Sequence, residues 1–367
     1  MHSPVKTVSR SPYSVNYLTP AFLIHSASRL FANAILLAIT ASVMLPLSVA
    51  KAVEGAPVST NKSIATQNNA HIDAIIAKAC GNNGNPKNCI FELFKYSRRG
   101  NIKAEIELAN ILCHLGKRFD NHSYYKTSAL LYSQALAAGS TSDSVLVNLG
   151  LLYMKGEGVP RNYAKAYTLW SLARSKNNSL TATINLSNMY LNGTGVPQNY
   201  HKSFILRRIA ANRGNIPSEF ILGSMYLTGM GTKKDINKAI KWLSLAANEN
   251  NGPAQDLLGS IYLYKKYGHV DYQTAFKWFK KSANNNNNKA AIQLAYLYLQ
   301  GKGIPQNYTE GCKWLIIAQS ELTSNTEMFS IVHKVLNNTY KQLTHDQISK
   351  AQEQASTWYA EHNKHQQ

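Results

Sequence analysis

The sequence predicts an all-α protein: an α-solenoid of antiparallel helix pairs with a C-terminal capping helix. Three observations predict it. Tyr153, Tyr190, Tyr226, Tyr262 and Tyr298 recur at steps of 37, 36, 36 and 36 residues. Trp242, Trp278 and Trp314 keep the 36-residue step. Ala166, Ser203, Ala239, Ala275 and Gly311 repeat a small side chain at the same spacing. Period, residue type and order agree, which marks an internal repeat. Stacked units make one elongated array out of a length that by itself would allow two domains.

Each unit reads as helix, tight turn, helix, short link. Leu222, Gly223, Tyr226 and Leu227 fall on one helical face and do not alternate as a strand would. Gly223 matches Gly150 and Gly259. Such a glycine costs about 1 kcal/mol against alanine inside a helix, so it marks a place where a neighbouring helix comes very close. The turns read Gly156-Glu157-Gly158-Val159-Pro160, Gly193-Thr194-Gly195-Val196-Pro197 and Gly301-Lys302-Gly303-Ile304-Pro305. The first glycine can end the helix in a left-handed conformation, the second lets the chain reverse, and proline stiffens the approach to the next helix. Asn162, Asn199, Asp235, Asp271 and Asn307 follow at one register, as N-caps whose side chains accept a free backbone N–H. The second helix carries Ala239, Trp242, Leu243, Ala246 and Ala247, small residues for a close crossing with tryptophan filling the gap beside them. A phosphate cradle is the other use of Gly-x-Gly. No strand precedes these turns, no acidic ribose partner follows, and the motif recurs once per unit, so the structural use is preferred.

The pattern L-G-x-x-Y-x-x-G-x-G-V-P-x-[ND]-Y-x-K-A-x-x-W resembles the Sel1-like repeat family, a relative of the tetratricopeptide repeats. The tetratricopeptide period is 34 residues, and the longer step here favours the Sel1-like unit. Five units, roughly residues 146–320, carry the likeness. The resemblance implies an α-solenoid that serves as an interaction scaffold, without a shared catalytic residue set.

Taken in order, residues 1–28 form a polar leader without acidic residues, for which disorder is expected. Residues 29–50 read as a signal peptide or an N-terminal membrane anchor. Arg29 precedes the apolar run Leu30–Val49, and Pro46 with Ser48-Val49-Ala50 suits a cleavage site. The run is also about long enough to span a bilayer, so three fates stay open: cleavage on export, an uncleaved anchor, or neither. Residues 51–70 are a linker, 71–140 are degenerate helix pairs, 141–320 are the five repeats, and 321–367 are capping helices and a tail. Within the last part, Thr344 and Gln347 fit a capping box ahead of a helix through Ala351, Ala355 and Trp358.

Little points to chemistry. No H-E-x-x-H, G-x-S-x-G or Walker loop occurs, so the sequence predicts no enzyme, no metal and no cofactor. In an exported chain Cys80 and Cys89 could form a disulfide, while Cys113 and Cys312 stand alone in core-like rows as free thiols. The net charge is +20, of which Lys6, Arg10 and Arg29 account for +3 in residues 1–50, leaving +17. Such a field attracts anions. A lysine bias on solvated second-helix positions, such as Lys165, Lys202, Lys238 and Lys277, explains it as well.

The expected partner is a protein, with anionic polysaccharide or a lipid surface as further options. Export disfavours nucleic acid, and membrane contact is expected only through an uncleaved N-terminal segment. The expected role is a non-enzymatic scaffold in the periplasm or secreted space of a bacterium, binding on the concave face of its stacked first helices. A protein that acts on or binds cell-wall polymer and a cytosolic regulatory adaptor are the alternatives. Candidate exposed positions on the first helices are Asn148, Lys155, Asn185, Asn192, Thr228, Gln293 and Gln300. The fourth unit replaces Gly-x-Gly with Tyr264-Lys265-Lys266-Tyr267, an aromatic and basic loop suited to a partner, or a turn that has drifted. The tyrosines and tryptophans of the repeat rows are expected in the core.

Overall fold

In the computed structural model of the chain, residues 86–363 are described, apart from 269 and 325, together with Ala74. Residues 86–363 form fifteen α-helices, with no strand among the described residues. The chain divides into two compact units, one ending at Asn162 and one beginning at Tyr163.

The first unit holds α1 (Pro86–Ser97), α2 (Ile102–Phe119), α3 (His122–Ala137) and α4 (Asp143–Lys155). Each packs against the next, and α2 also touches α4. The small-residue row starts here: Ala129 on α3 is buried, and Ser128 Oγ donates to the Ala109 carbonyl at 2.8 Å across the helix pair. Cys89 is buried on α1, and its expected partner Cys80 lies outside the described residues, as do the apolar run and the linker. Among the described residues, no helix is long and apolar enough to cross a membrane.

The second unit holds α5 (Tyr163–Asn177), α6 (Leu180–Asn192), α7 (Tyr200–Ala211), α8 (Ile216–Thr228), α9 (Ile236–Asn248) and α10 (Gly252–Leu263). It continues with α11 (Tyr272–Asn284), α12 (Asn288–Gln300), α13 (Tyr308–Ser320), α14 (Glu327–Tyr340) and α15 (His345–Asn363). Helices α5 to α13 each pack on the next, α15 packs on α13, and the first helices α10 and α12 also touch each other directly. The small-residue row explains the close crossings. Ala166, Ser203, Ala239 and Ala275 have no exposed surface, and Gly311 is buried too. The helical glycines act as expected. A Cβ on Gly223 would lie 2.7 Å from Leu243 on α9, and one on Gly259 would lie 2.7 Å from Phe279 on α11. The tryptophan row is graded. Trp314 is buried, whereas Trp242 and Trp278 are half-buried against the core.

Links between repeats follow one rule. Asn178, Gly214, Asn250 and Asn286 all take positive φ, from +49° to +75°. The next residues, Ser179, Asn215, Asn251 and Asn287, cap the following helices by accepting a backbone N–H. Asparagine visits the left-handed region more readily than other side chains, which is how the Asn284–Asn288 run serves as a link.

The turns inside each repeat hold the array together. The backbone N–H of Asn162, Asn199, Asp235, Asp271 and Asn307 donates to the carbonyl of Tyr153, Tyr190, Tyr226, Tyr262 and Tyr298 at 2.8–2.9 Å. Gly156, Gly193 and Gly301 end their helices in the left-handed region, as predicted, and Gly229 does the same. The second glycine does more than reverse the chain. It lies against the start of the preceding second helix: Gly158 on Tyr125 and Lys126, Gly195 on Tyr163, Gly231 on Tyr200 and His201, Gly303 on Tyr272 and Gln273. A Cβ at Gly303 would stand 2.5–2.7 Å from backbone atoms of Tyr272 and Gln273, which cannot move aside as a side-chain tip can.

At the C-terminus the capping box forms. The Thr344 N–H donates to Gln347 Oε1 at 2.9 Å, and the Gln347 N–H donates to Thr344 Oγ1 at 3.3 Å. Ala351 and Ala355 are buried as α15 packs on α13, and Trp358 meets Trp314 edge-on with centroids 6.0 Å apart.

Two outcomes follow from this packing. Gly303→Ala combines left-handed strain (φ +76°) with a backbone clash and should lower stability by at least about 2 kcal/mol. Gly268→Ala has similar φ (+80°) but open space around it and should lose about 1 kcal/mol. Urea titrations followed by circular dichroism measure both, and equal losses would disprove the backbone-contact argument. Second, burial lifts the Cys312 thiol to about 11. Iodoacetamide at neutral pH should leave Cys312 unlabelled in the native chain and modify it after denaturation, read by peptide mass spectrometry.

Candidate interaction surface

Charge in the second unit is sorted by helix. The second helices α5, α7, α9 and α11 contain no Asp or Glu. They carry Lys165, Arg174, Lys202, Arg208, Lys241, Lys277 and Lys281, all exposed. The acidic N-cap Asp235 pairs with Lys238 at 3.0 Å, and on α13 Glu310 pairs with Lys313 at 2.8 Å. Hydrogen bonds from the Lys238 backbone and side chain hold the Asp235 carboxyl below its ordinary value. Some lysines lie over rings of the tyrosine row, with Lys202 Nζ 5.1 Å from Tyr190 and Lys238 Nζ 5.6 Å from Tyr226.

The first helices differ. Their outward stripe follows i, i+4, i+7, i+11 spacing, which is one face of a helix. On α6 it reads Thr181, Asn185, Asn188 and Asn192, and on α12 it reads Lys289, Gln293, Tyr296 and Gln300. On α8 it reads Pro217, Ile221, Ser224 and Thr228; on α10 it reads Pro253, Leu257 and Ser260 and is prolonged by Tyr264. Lys289 is the one charge in these four stripes. The wall is neutral, amide- and hydroxyl-rich, and tyrosine-bearing toward the fifth repeat.

The sequence-predicted residues divide by what they touch. In the first unit, Asn148 is half-buried and faces a polar cluster. Its amide donates to Tyr132 Oη at 2.9 Å and to Asn110 Oδ1 at 3.3 Å, while Tyr132 Oη donates to Asn110 Oδ1 at 2.6 Å. Burial pushes the Tyr132 phenol well above its ordinary value. Lys155 is exposed and pairs with Glu157 at 3.2 Å. In the second unit, Asn192, Thr228 and Gln300 are exposed, and Asn185 and Gln293 are half-buried. Arg207, which the sequence did not single out, is only 2% exposed. It donates to Ser218 Oγ at 3.1 Å and to Asn188 Oδ1, tying α7 to α6 and α8.

The fourth turn departs from the others for a legible reason. Lys265 occupies the register of the capping glycines Gly193, Gly229 and Gly301. A lysine takes the left-handed region at a cost of about 1–2 kcal/mol. Helix α10 instead ends at Leu263, and Tyr264 adopts extended backbone (φ −102°, ψ 124°) ahead of a 3₁₀ turn over Lys265–Tyr267. Tyr267 takes the register of Gly231, so the backbone approach made by the second glycine is missing. Gly268, the nearest glycine, has no neighbour within 4 Å of a Cβ position. The Asp271–Tyr262 hydrogen bond still closes the turn at 2.9 Å. The loop therefore stands off, with Tyr264 41% exposed, Lys265 and Lys266 exposed and Tyr267 half-buried. Lys266 Nζ lies 5.5 and 4.8 Å from the centroids of Tyr264 and Tyr267.

Beside this loop is a cleft of about 450 Å³. Its lining includes Tyr264, Lys265, Tyr272, Gln293, Tyr296 and Lys302. Tyr272, Tyr296 and Lys302 were not singled out from the sequence. Tyr296 could have been, by carrying the stripe spacing through α12. Among the described residues, no group of three His, Cys, Asp or Glu is placed to hold a metal.

The Sel1 repeat family matches this chain over residues 144–178, 181–215, 216–251, 252–287 and 288–318. Among solved structures, a Sel1 repeat protein from Oxalobacter formigenes is 24% identical with a TM-score of 0.50, covering 71% of this chain and 99% of its own. A protective antigen with an SLR fold, present in uropathogenic Escherichia coli strains, is 19% identical with a TM-score of 0.42, covering 81% of this chain and 85% of its own. At such identity the first likeness speaks to fold alone. No curated protein matches the sequence.

The sorting of charge can be tested at constant net charge. Lys241→Gln, Lys277→Gln and Lys281→Gln together lower the net charge by three, as do Asn192→Asp, Thr228→Asp and Gln300→Asp together. The first triple variant should elute much earlier from a cation exchanger, because retention follows a local patch. Equal shifts would mean that the charge acts as an unsorted total.

Proposed function

On the premise that this chain is a Sel1 repeat protein through residues 144–318, we propose that it is a non-enzymatic protein–protein interaction scaffold of the bacterial envelope or secreted space. Sel1 and tetratricopeptide-like repeats generally bind protein partners. The partner docks on the wall of stacked first helices. The observation that carries this reading is the contrast between that neutral, tyrosine-bearing wall and the acid-free basic second helices. Interface cores are depleted of charge and enriched in tyrosine, since a desolvated lone charge is costly and a tyrosine buries a large surface with few rotatable bonds. Binding is by surface complementarity, with no covalent step. The repeated helix pairs hold the wall rigid, so little ordering entropy is lost on docking.

The envelope location rests on Arg29, the apolar run Leu30–Val49 and the small residues before Lys51. Export also supports a Cys80–Cys89 bridge. A second reading, binding of anionic polysaccharide or another anionic surface, draws support from the basic second helices. A cytosolic adaptor is the reading that remains if residues 30–49 do not direct export.

Two experiments test the proposal. A photo-crosslinking side chain at Asn192, Thr228 or Gln300 should give discrete protein adducts in cells, and the same group at Lys241, Lys277 or Lys281 should not. Adducts confined to the lysine positions would overturn the first-helix assignment. Mass spectrometry of the chain from separated cytosol, membrane, periplasm and medium should find a mature N-terminus near Lys51 in a soluble exported fraction. An intact chain in the cytosol would remove the envelope role, and an intact chain in the membrane would make residues 30–49 an anchor.

A further inference from the structure

We propose that the cleft beside the fourth turn is the seat for an acidic side chain of the protein partner. This deepens the scaffold reading and rests on it. The cleft belongs to one repeat junction because only the fourth turn lacks both glycines. With Lys265 at the capping position, Tyr264 leaves the helix early and becomes one wall. Tyr272 at the start of α11 and Tyr296 on α12 form the others, with Leu263 and Ile292 as apolar floor. Tyr296 is 39% exposed, so its ring is available to a visitor.

The polar groups of the cleft specify the charge of that visitor. Lys302 Nζ donates to Tyr296 Oη at 2.6 Å and lies 5.5 Å from the Tyr272 centroid and 4.9 Å from that of Tyr296. Tyr264 Oη donates to Gln293 Oε1 at 3.4 Å, which leaves the Gln293 amide N–H groups to donate. No Asp or Glu lines the cleft, and among the described residues neither Lys265 nor Lys302 has an ion pair. Two lysines and an amide side chain thus line a space walled by aromatic and apolar surface. A carboxylate supplies the missing counter-ion, and its methylene stem and neighbouring residue fill the apolar part. A neutral sugar fits less well, because it supplies no counter-charge to Lys265 and Lys302. The rest of the first-helix wall has almost no charge, so this junction fixes the register of the partner.

The test uses the full chain and fluorophore-labelled acetyl-Gly-Glu-Phe-Gly-amide, its Gln counterpart, and trigalacturonate, followed by anisotropy. The Glu peptide should bind about tenfold more tightly than the Gln peptide, and the preference should shrink with salt. Lys302→Gln and Lys265→Gln should each remove most of the preference, and Lys241→Gln, on a second helix, should keep it. Circular dichroism checks that each variant is folded, Lys265 being exposed and Lys302 half-buried. Equal affinity for both peptides, absence of saturable binding up to about 1 mM, or a preference that survives the double lysine variant would overturn the proposal. Trigalacturonate binding that needs Lys265 and Lys302, with no peptide binding, would overturn it in favour of a uronate glycan. Cross-links at Asn192 and Thr228 alongside a cleft without Glu preference would sink the cleft alone. Loss of those cross-links would sink the scaffold reading instead.

Discussion

The constraint on which the second unit depends is the close approach of each regular turn to the helix before it. Each regular turn sets its second glycine against the first residues of the preceding second helix, at a distance no Cβ allows. Turn closure by the carbonyl of the repeat tyrosine then fixes where the next helix starts. Gly195 meets Cβ of Tyr163, while turn closure uses backbone atoms, and so does the glycine approach at Gly231 and Gly303. That lets side chains around them vary while spacing and stacking stay constant, and it accounts for a 36-residue step kept across four consecutive repeats.

A fixed frame has an electrostatic consequence. When every first helix enters at the same register, the same i, i+4, i+7, i+11 positions face outward each time. The repeat can then keep most lysines off the first-helix face, where Lys289 is the one charge, and leave amides, hydroxyls and tyrosines there. The resulting wall is suited to desolvation against a protein, while the basic helices supply a long-range field that screens within about 8 Å at physiological salt. The +20 net charge and the neutral wall are two parts of one arrangement and do not conflict.

The fourth repeat shows what happens when the constraint is relaxed at one place. Losing both glycines shortens α10, turns Tyr264 outward and removes the close approach, yet the Asp271–Tyr262 hydrogen bond keeps the repeat in step. The core beneath stays packed: Leu258, Ile261 and Phe279 have no exposed surface. The local change is therefore compatible with the array, and what it adds is an aromatic, basic recess on an otherwise shallow wall.

The sequence by itself determined the period, the helix pairs, the capping glycines, the N-caps at Asn199, Asp235, Asp271 and Asn307, and the Thr344–Gln347 box. These are local: each depends on a few consecutive residues and on backbone rules that hold in any context. It also marked the fourth turn as different, since a missing glycine is visible in a row. The tertiary structure alone decided the rest. It placed Asn148 in a hydrogen-bonded cluster with Asn110 and Tyr132, residues 38 and 16 positions away, where the sequence had suggested an outward contact. It buried Arg207 between three helices. It brought Tyr264, Tyr272, Tyr296 and Lys302, from two turns and two helices, around one cleft. Periodicity states which residues share a face. It cannot state how far a turn stands from its neighbour, because that distance is set by contacts between repeats and not within one.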